Sequence, residues 1–138
     1  MDDKNLNELP APLLRLLDAN LNRLREGIRV IEDIRRYCFD DEINAKKLKA
    51  LRHKARLEPY IALLKTRDIE GDILKSTTKS EALRENLESV QTANMKRAQE
   101  SARVLEESLK LISQKDAQTF KELRYELYGI EKALAARE

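Results

Sequence analysis

The chain has 138 residues, which is enough for one domain with a buried core. Glycine and proline number three each and aromatic residues make up 4%, whereas charged residues make up 38%. Because β-sandwiches, barrels and doubly wound α/β folds need more turn residues, this composition argues against them and favours long amphipathic helices. The 27 basic and 25 acidic residues nearly cancel, so the charge predicts no nucleic-acid partner and no disorder.

The sequence also indicates a compartment. No apolar run approaches the roughly 18 residues of a membrane span, and the acidic N-terminus lacks the apolar stretch of a signal peptide. The single cysteine, Cys38, permits no internal disulfide. We therefore expect a cytoplasmic protein without membrane contact, in which Cys38 is buried on an apolar helix face and unreactive.

The pattern divides the chain into a flexible lead-in, residues 1–12, and a single helical bundle domain, residues 13–138. Pro10 and Pro12 favour a helix start, where a missing N–H donor costs nothing. Leucine and isoleucine then recur at helical spacing, which predicts a first helix from about Leu13 to Cys38.

Acidic residues from Asp40 onward predict the cap of a second helix, which Pro59 ends. A short helix is expected over Tyr60–Leu64. The segment Lys65–Lys79 is the one long polar stretch of the sequence and predicts a loop.

The second half predicts two more long helices. Thr78, with Glu81 three residues later, has the pattern of a capping box and predicts a helix running to about Ile112. Ser113 then predicts the cap of a last helix. The expected fold is an all-α antiparallel bundle of four main helices plus a short one.

The two halves resemble each other. Residues 18–33 align without a gap with residues 92–107, with 7 of 16 positions identical. Each copy contains Ala-Asn-x-x-Arg, which supplies Asn20 and Arg23 in the first copy and Asn94 and Arg97 in the second. We therefore predict an internal pseudo-twofold repeat of two helix pairs.

On a helical wheel Asn20 falls in the middle of the apolar face and Arg23 on its border. Small residues, Gly27 and its counterpart Ser101, would let two helices approach closely. Glycine inside a helix costs about 1 kcal/mol relative to alanine, so Gly27 needs a packing or binding reason.

Two interpretations of the repeat stay open. In the first, the asparagines fix the packing register, and Arg23 and Arg97 form ion pairs with Glu26 and Glu100. In the second, both asparagines and both arginines converge on an anion in the bundle, because an arginine fork binds phosphate bidentately. The second interpretation gains charge from two further arginines near apolar stripes, Arg52 and Arg124.

The loop is a second candidate site. Three carboxylates flank Gly71 within five positions, and Asp68 and Asp72 are the candidate ligands for Mg²⁺. Hydroxyls around Thr77 lie just before the expected helix start, where a phosphate would bind. The alternative is a solvated acidic turn with an ordinary helix cap. No phosphate-binding glycine loop, nucleophile elbow or Cys/His cluster occurs in the sequence.

The segment Leu17–Asp33, LDANLNRLREGIRVIED, resembles a known family. That family is a small helical domain that stands alone in some bacteria and elsewhere precedes a thiamine-phosphate synthase barrel. The likeness covers roughly residues 13–132 and continues in four shorter motifs: Leu48–His53, Arg67–Asp72, Ala93–Arg97 and Leu123–Tyr128.

The resemblance implies a monofunctional hydroxymethylpyrimidine-phosphate kinase, with a phosphorylated pyrimidine as substrate, ATP as co-substrate and Mg²⁺ as cofactor. A chain of this length cannot supply a (β/α)₈ synthase barrel of about 250 residues. Under this hypothesis the residues take four roles: catalytic Arg23, Arg97 and Asp72; substrate-binding Asn20, Asn94, Arg52 and Arg124; nucleotide-binding Arg67, Gly71 and Thr77; and metal-binding Asp68 and Asp72.

Two other classes of function compete with the kinase. One is a non-catalytic module that binds a thiamine intermediate or docks on thiamine-phosphate synthase. The other is a structural helical bundle that forms a homodimer. Formation of a diphosphate product in the presence of ATP and Mg²⁺ separates the kinase from both.

Overall fold

The computed structural model describes residues 5–58, 60–78 and 83–136. All regular secondary structure in these ranges is helical, which confirms the predicted all-α class. The elements are a 3₁₀ turn Leu6–Glu8, α1 Ala11–Asp33, a π-helical turn Ile34–Cys38, α2 Glu42–Lys54, the short α3 Tyr60–Leu64, α4 Leu87–Leu109 and α5 Gln114–Ala135.

The long helices pack around one core, with α1 against α2 and α4, and α4 against α5. Between α4 and α5, Lys96 and Gln99 donate hydrogen bonds to Glu131, which lies near the end of α5. Arg124, which lies earlier in α5, donates one to Glu106 near the end of α4. These contacts run in opposite chain directions, so α4 and α5 are antiparallel. In the described ranges no helix is both long and apolar enough to cross a membrane.

The start of α1 follows the predicted chemistry. Pro10 is the N-cap and Pro12 lies in the first turn, where a missing N–H donor is tolerated. The described part of the expected lead-in is not featureless: Asn5 caps the 3₁₀ turn, and Leu6 is buried against the core. The bundle therefore extends a few residues before α1.

The predicted continuous helix from Thr78 to about Ile112 is wrong. The helix α4 begins at Leu87, and residues 83–86 lie outside it; Glu81 lies outside the described residues. The side chain of Asn86 accepts a hydrogen bond from the Ser89 N–H, and the Ser89 hydroxyl accepts one from the Asn86 N–H. This reciprocal capping box satisfies two helix-terminal donors at once and sets the helix start.

The predicted burial of Cys38 is also wrong, because its side chain is exposed. The last turn of the first helical segment, Ile34–Cys38, is π-helical. A π turn holds more residues than an α turn, so the residues after it leave the register of an ordinary helical wheel. Arg35 is buried there, and it donates hydrogen bonds to Asp41 at 3.0 Å and to Gln91 of α4 at 3.2 Å.

Gly27 marks the close approach of α1 and α4. A Cβ atom built on Gly27 would lie 3.2 Å from the carbonyl oxygen of Asn94 and 3.5 Å from the Cβ of Ala98. A backbone carbonyl cannot rotate away as a side chain can. The packing reason predicted for this glycine is therefore confirmed.

We expect Gly129→Ala to raise stability and Gly27→Ala not to do so. Both glycines lie in helix interiors, where alanine is favoured by about 1 kcal/mol. Around Gly129 in α5 the space is open within 4 Å, so the full gain of roughly 3 °C in Tm is expected. At Gly27 the helices must separate by a few tenths of an ångström, which offsets the gain. Thermal melts of the two variants check this, and an equal rise in both would contradict it.

Candidate functional site

A polar cleft lies between α1 and α4, with a volume of about 470 Å³. We call it the α1–α4 cleft. Its walls are five pairs of positions that correspond in the sequence repeat: Asn20 and Asn94, Arg23 and Arg97, Glu26 and Glu100, Gly27 and Ser101, and Val30 and Val104. The structure therefore brings both Asn-x-x-Arg segments to one place. The pseudo-twofold superposition of the two halves stays a prediction.

The two asparagines make the same contact with their own helices. The amide of Asn20 donates to the carbonyl of Leu16, and that of Asn94 donates to the carbonyl of Val90, both at 2.9 Å. They do not bond to each other across the cleft. No donor to either Oδ1 atom is found in the described part of the chain, so each asparagine keeps an acceptor for a ligand.

Arg23 and Arg97 are exposed, and among residues 5–58, 60–78 and 83–136 neither forms an ion pair. Glu26 and Glu100 are likewise without a basic partner in these ranges. The interpretation that pairs Arg23 with Glu26 and Arg97 with Glu100 is therefore wrong. Each guanidinium keeps its five donors in a planar fork that matches a phosphate.

Arg52 and Arg124 do not line this cleft. Arg52 donates to both carboxylate oxygens of Glu32, at 2.8 and 3.3 Å, and this contact raises the pKa of Arg52. Arg124 bonds to the Tyr128 hydroxyl at 3.0 Å and to Glu106 at 2.7 Å, and these contacts raise the pKa of Arg124. The two pairs connect α2 to α1 and α5 to α4.

The loop after α3 is held against α1 by Arg67. Its guanidinium donates to both oxygens of the buried Asp18 at 2.8 Å and to the Tyr60 hydroxyl at 3.0 Å. The hydrogen bonds to Asp18 and Tyr60 raise the pKa of Arg67. The first residues of the loop therefore have a fixed position relative to α1.

The acidic residues of the loop form local turns. One oxygen of Asp68 accepts from the Gly71 N–H at 2.8 Å, and one oxygen of Asp72 accepts from the Leu74 N–H at 3.0 Å. A side chain at Gly71 would collide with the Asp68 carboxylate. The second oxygen of each carboxylate has no hydrogen-bond donor in the described ranges. The same ranges contain no group of three or more His, Cys, Asp or Glu side chains that could hold a metal ion. Thr77 is exposed, and α4 begins ten residues after it.

A second cleft, of about 540 Å³, lies between α1 and this loop. We call it the α1–loop cleft. Its polar lining includes Arg15, Asn22, Arg23, Asp68, Asp72 and Lys75. Arg23 is shared with the α1–α4 cleft. Sequence reasoning missed Arg15 and Lys75, because neither lies in a repeat or in a motif with a known chemistry.

The fold is a small helical domain with a polar cleft that is lined by residues from both copies of the sequence repeat. The model of the ThiD2 family matches residues 15–133, so the chain belongs to this family. This confirms the family resemblance predicted from the motifs.

The curated relatives are longer proteins that are named thiamine-phosphate synthase. The chain is 39% identical over 125 residues to thiamine-phosphate synthase of Thermosynechococcus vestitus, covering 88% of this chain and 35% of that protein. For thiamine-phosphate synthase of Synechocystis sp. the values are 36% over 126 residues, 91% and 37%. The chain therefore spans about a third of the length of these relatives. No solved structure matches it.

We expect Arg52→Met to destabilise the fold strongly. The substitution leaves Glu32, whose side chain is 3% exposed, as a buried charge without its partner, which costs about 3–5 kcal/mol. Arg29→Met is the matched control on α1. It breaks an exposed pair with Asp33 and should cost at most about 1 kcal/mol. Urea denaturation measures the free energy of unfolding of each variant. Equal stability of the two variants would contradict a stabilising role for the Arg52–Glu32 pair.

Proposed function

We propose that this protein is a phosphotransferase of thiamine biosynthesis. It converts 4-amino-2-methyl-5-pyrimidinylmethyl phosphate to its diphosphate with ATP. The observation that carries the proposal is the α1–α4 cleft, in which Arg23 and Arg97 face solvent without a carboxylate partner in the described chain. Membership in the ThiD2 family and the thiamine-phosphate synthase name of the relatives support the pathway.

The reaction is a direct transfer between two phosphates. An oxygen of the pyrimidine monophosphate attacks the γ-phosphorus of ATP, the bond from that phosphorus to the β,γ-bridging oxygen breaks, and ADP leaves. The acceptor phosphate has a second pKa near ~6 and is largely dianionic at pH 7, so it needs no strong general base. Catalysis then depends on positioning and on neutralising charge, for which two arginine forks are suited.

The cleft side chains divide into two kinds of contact. Arg23 and Arg97 bind phosphate oxygens. The free Oδ1 atoms of Asn20 and Asn94 accept hydrogen bonds from ligand N–H groups, such as the 4-amino group of the pyrimidine. Arg52 and Arg124 do not contact the ligand in this proposal; each binds a glutamate of the neighbouring helix and so holds that helix in place.

The loop residues fit a Mg²⁺ site completed by substrate. Mg²⁺ is usually held by one or two carboxylates together with phosphate oxygens, and Asp68 and Asp72 each keep one oxygen without a protein donor in the described ranges. When bound, the ion would neutralise charge on the nucleotide phosphates. Gly71 leaves room for the Asp68 carboxylate, Arg67 fixes the loop on α1, and Thr77 adds a hydroxyl to the same segment.

A second candidate function is a non-catalytic module that binds the same ligand or docks on thiamine-phosphate synthase. One observation favours it: relatives bearing that name continue for about two thirds of their length beyond the part that matches this chain. A domain joined to another enzyme can deliver or retain a ligand without transforming it.

The assay that separates the two uses purified protein, ATP, Mg²⁺ and the pyrimidine monophosphate, with the product identified by mass. The kinase predicts the pyrimidine diphosphate and an equal amount of ADP. Binding of the monophosphate with no diphosphate over a range of metals and pH would establish the non-catalytic module instead.

We expect Arg97→Ala to weaken binding of the pyrimidine monophosphate about tenfold or more, which is roughly 1.4 kcal/mol. The free energy of unfolding should change by no more than about 0.5 kcal/mol, because Arg97 is exposed and without an ion-pair partner in the described chain. Arg103→Ala is the control, since Arg103 is also an exposed arginine of α4 but lies outside the cleft and pairs with Glu107. Titrations and melts of both variants decide; unchanged affinity in Arg97→Ala would mean that the cleft does not bind this phosphate.

We expect Asp72→Asn to lower turnover by a large factor while the fold and the pyrimidine affinity stay unchanged. The substitution keeps the shape and an oxygen for the Leu74 N–H, but it removes one charge from the proposed Mg²⁺ site. Turnover measured against Mg²⁺ concentration is the readout. Full activity with the same Mg²⁺ dependence would show that the loop is only a turn, and that the metal is held elsewhere.

A further inference from the structure

We infer that the α1–loop cleft is the nucleoside triphosphate site, and that Arg23 is the residue shared by the nucleotide and the acceptor phosphate. This inference rests on the proposed function and assigns the two substrates to two different clefts. The pyrimidine phosphate occupies the α1–α4 cleft, and Arg97 serves it alone.

The cations of the α1–loop cleft are available for a polyanion. Among the described residues, Arg15 donates only to the backbone carbonyl of Asp68, at 3.5 Å, and Lys75 donates only to that of Glu70, at 3.3 Å. With Arg23, three side chains there have no carboxylate partner in the described ranges. The charge of Arg67, by contrast, is matched by Asp18 at 2.8 Å. A triphosphate carries the charge that three unpaired cations would neutralise.

The same cleft has apolar surface beside the charges. Pro12, Leu16 and Ile69 contribute to its lining, and the side chain of Ile69 is 73% exposed. Its volume of about 540 Å³ lies within the usual range for small-molecule sites. A nucleoside triphosphate with a divalent cation uses all three features: apolar surface for the base, cations for the phosphates, and Asp68 and Asp72 for the metal. A simple phosphate would use only the cations.

The shared position of Arg23 breaks the symmetry of the duplicated site. Its repeat counterpart Arg97 lines the α1–α4 cleft only, because the loop that forms the second cleft lies beside α1. A residue that faces both clefts can contact the γ-phosphoryl group and the acceptor phosphate together. Such a contact favours transfer between two anions, because it neutralises charge at the point where the reacting phosphates repel each other.

The test measures binding without turnover. Affinities of the β,γ-imido analogue of ATP with Mg²⁺, and separately of the pyrimidine monophosphate, are determined by calorimetry. We expect Arg15→Ala with Lys75→Ala to weaken the analogue about tenfold or more and to leave the monophosphate unchanged. Arg97→Ala should do the reverse, and Arg23→Ala should weaken both. Arg29→Ala, on α1 but outside both clefts, is the control.

The outcomes separate this inference from the proposed function. If the wild type forms the diphosphate but the Arg15→Ala/Lys75→Ala variant keeps its affinity for the analogue, the reaction stands and the nucleotide site is wrong. Equal weakening of both ligands by Arg97→Ala also overturns the assignment. A wild type that binds the monophosphate but neither binds the analogue nor forms product overturns the inference together with the kinase.

Discussion

The close approach of α1 and α4 at Gly27 is the constraint on which the site depends. Asn94 presents its backbone oxygen 3.2 Å from where a Cβ of residue 27 would lie, so any larger residue there would push the helices apart. Asn20 and Asn94, with the arginines one turn away, face the same cleft because their helices pack at this distance. Gly27 lowers the stability of α1 as an isolated helix, but it permits the close packing that places both polar segments around one cleft.

Two buried ion pairs keep the outer helices in register with these inner ones. Glu32 and Glu106 correspond in the repeat, and each binds an arginine from the next helix, Arg52 and Arg124. Because a buried charge without a partner is very unfavourable, each pair permits only a narrow range of helix positions. The repeat therefore encodes a packing arrangement as well as a cleft.

Much of the fold and the centre of the site could be predicted from the sequence. Helical periodicity predicted the long helices. Convergence of Asn20, Arg23, Asn94 and Arg97 on one cleft was one of two interpretations that the shared Ala-Asn-x-x-Arg segments left open, and the structure places these four residues around one cleft. Periodicity assumes a constant rotation per residue, so it failed at Cys38, where a π turn changes the rotation.

The remaining errors also arise because a local sequence pattern contains no information on tertiary contacts. Thr78 and Asn86 both have side chains that favour a helix cap, and a pattern alone does not say that the long helix α4 begins after Asn86. A helical wheel places Arg52 and Arg124 near an apolar face, but it does not show that a glutamate on the preceding helix will bind each of them. Arg15 and Lys75 become neighbours only when the loop folds back on α1, which no local pattern records.

Duplication by itself would produce two equivalent arginines, and a transfer between two phosphates needs unequal ones. One substrate must give a phosphoryl group and the other must accept it, so the two ends of the site must differ. The difference comes from the loop after α3. Arg67 of this loop donates hydrogen bonds to Asp18 and so holds the loop against α1. Because this contact is made on α1, Arg23 gains a second set of neighbours that Arg97 lacks. The asymmetry of the proposed reaction thus follows from the attachment of one loop to α1, whereas Arg97 on α4 has no such neighbour in the α1–loop cleft.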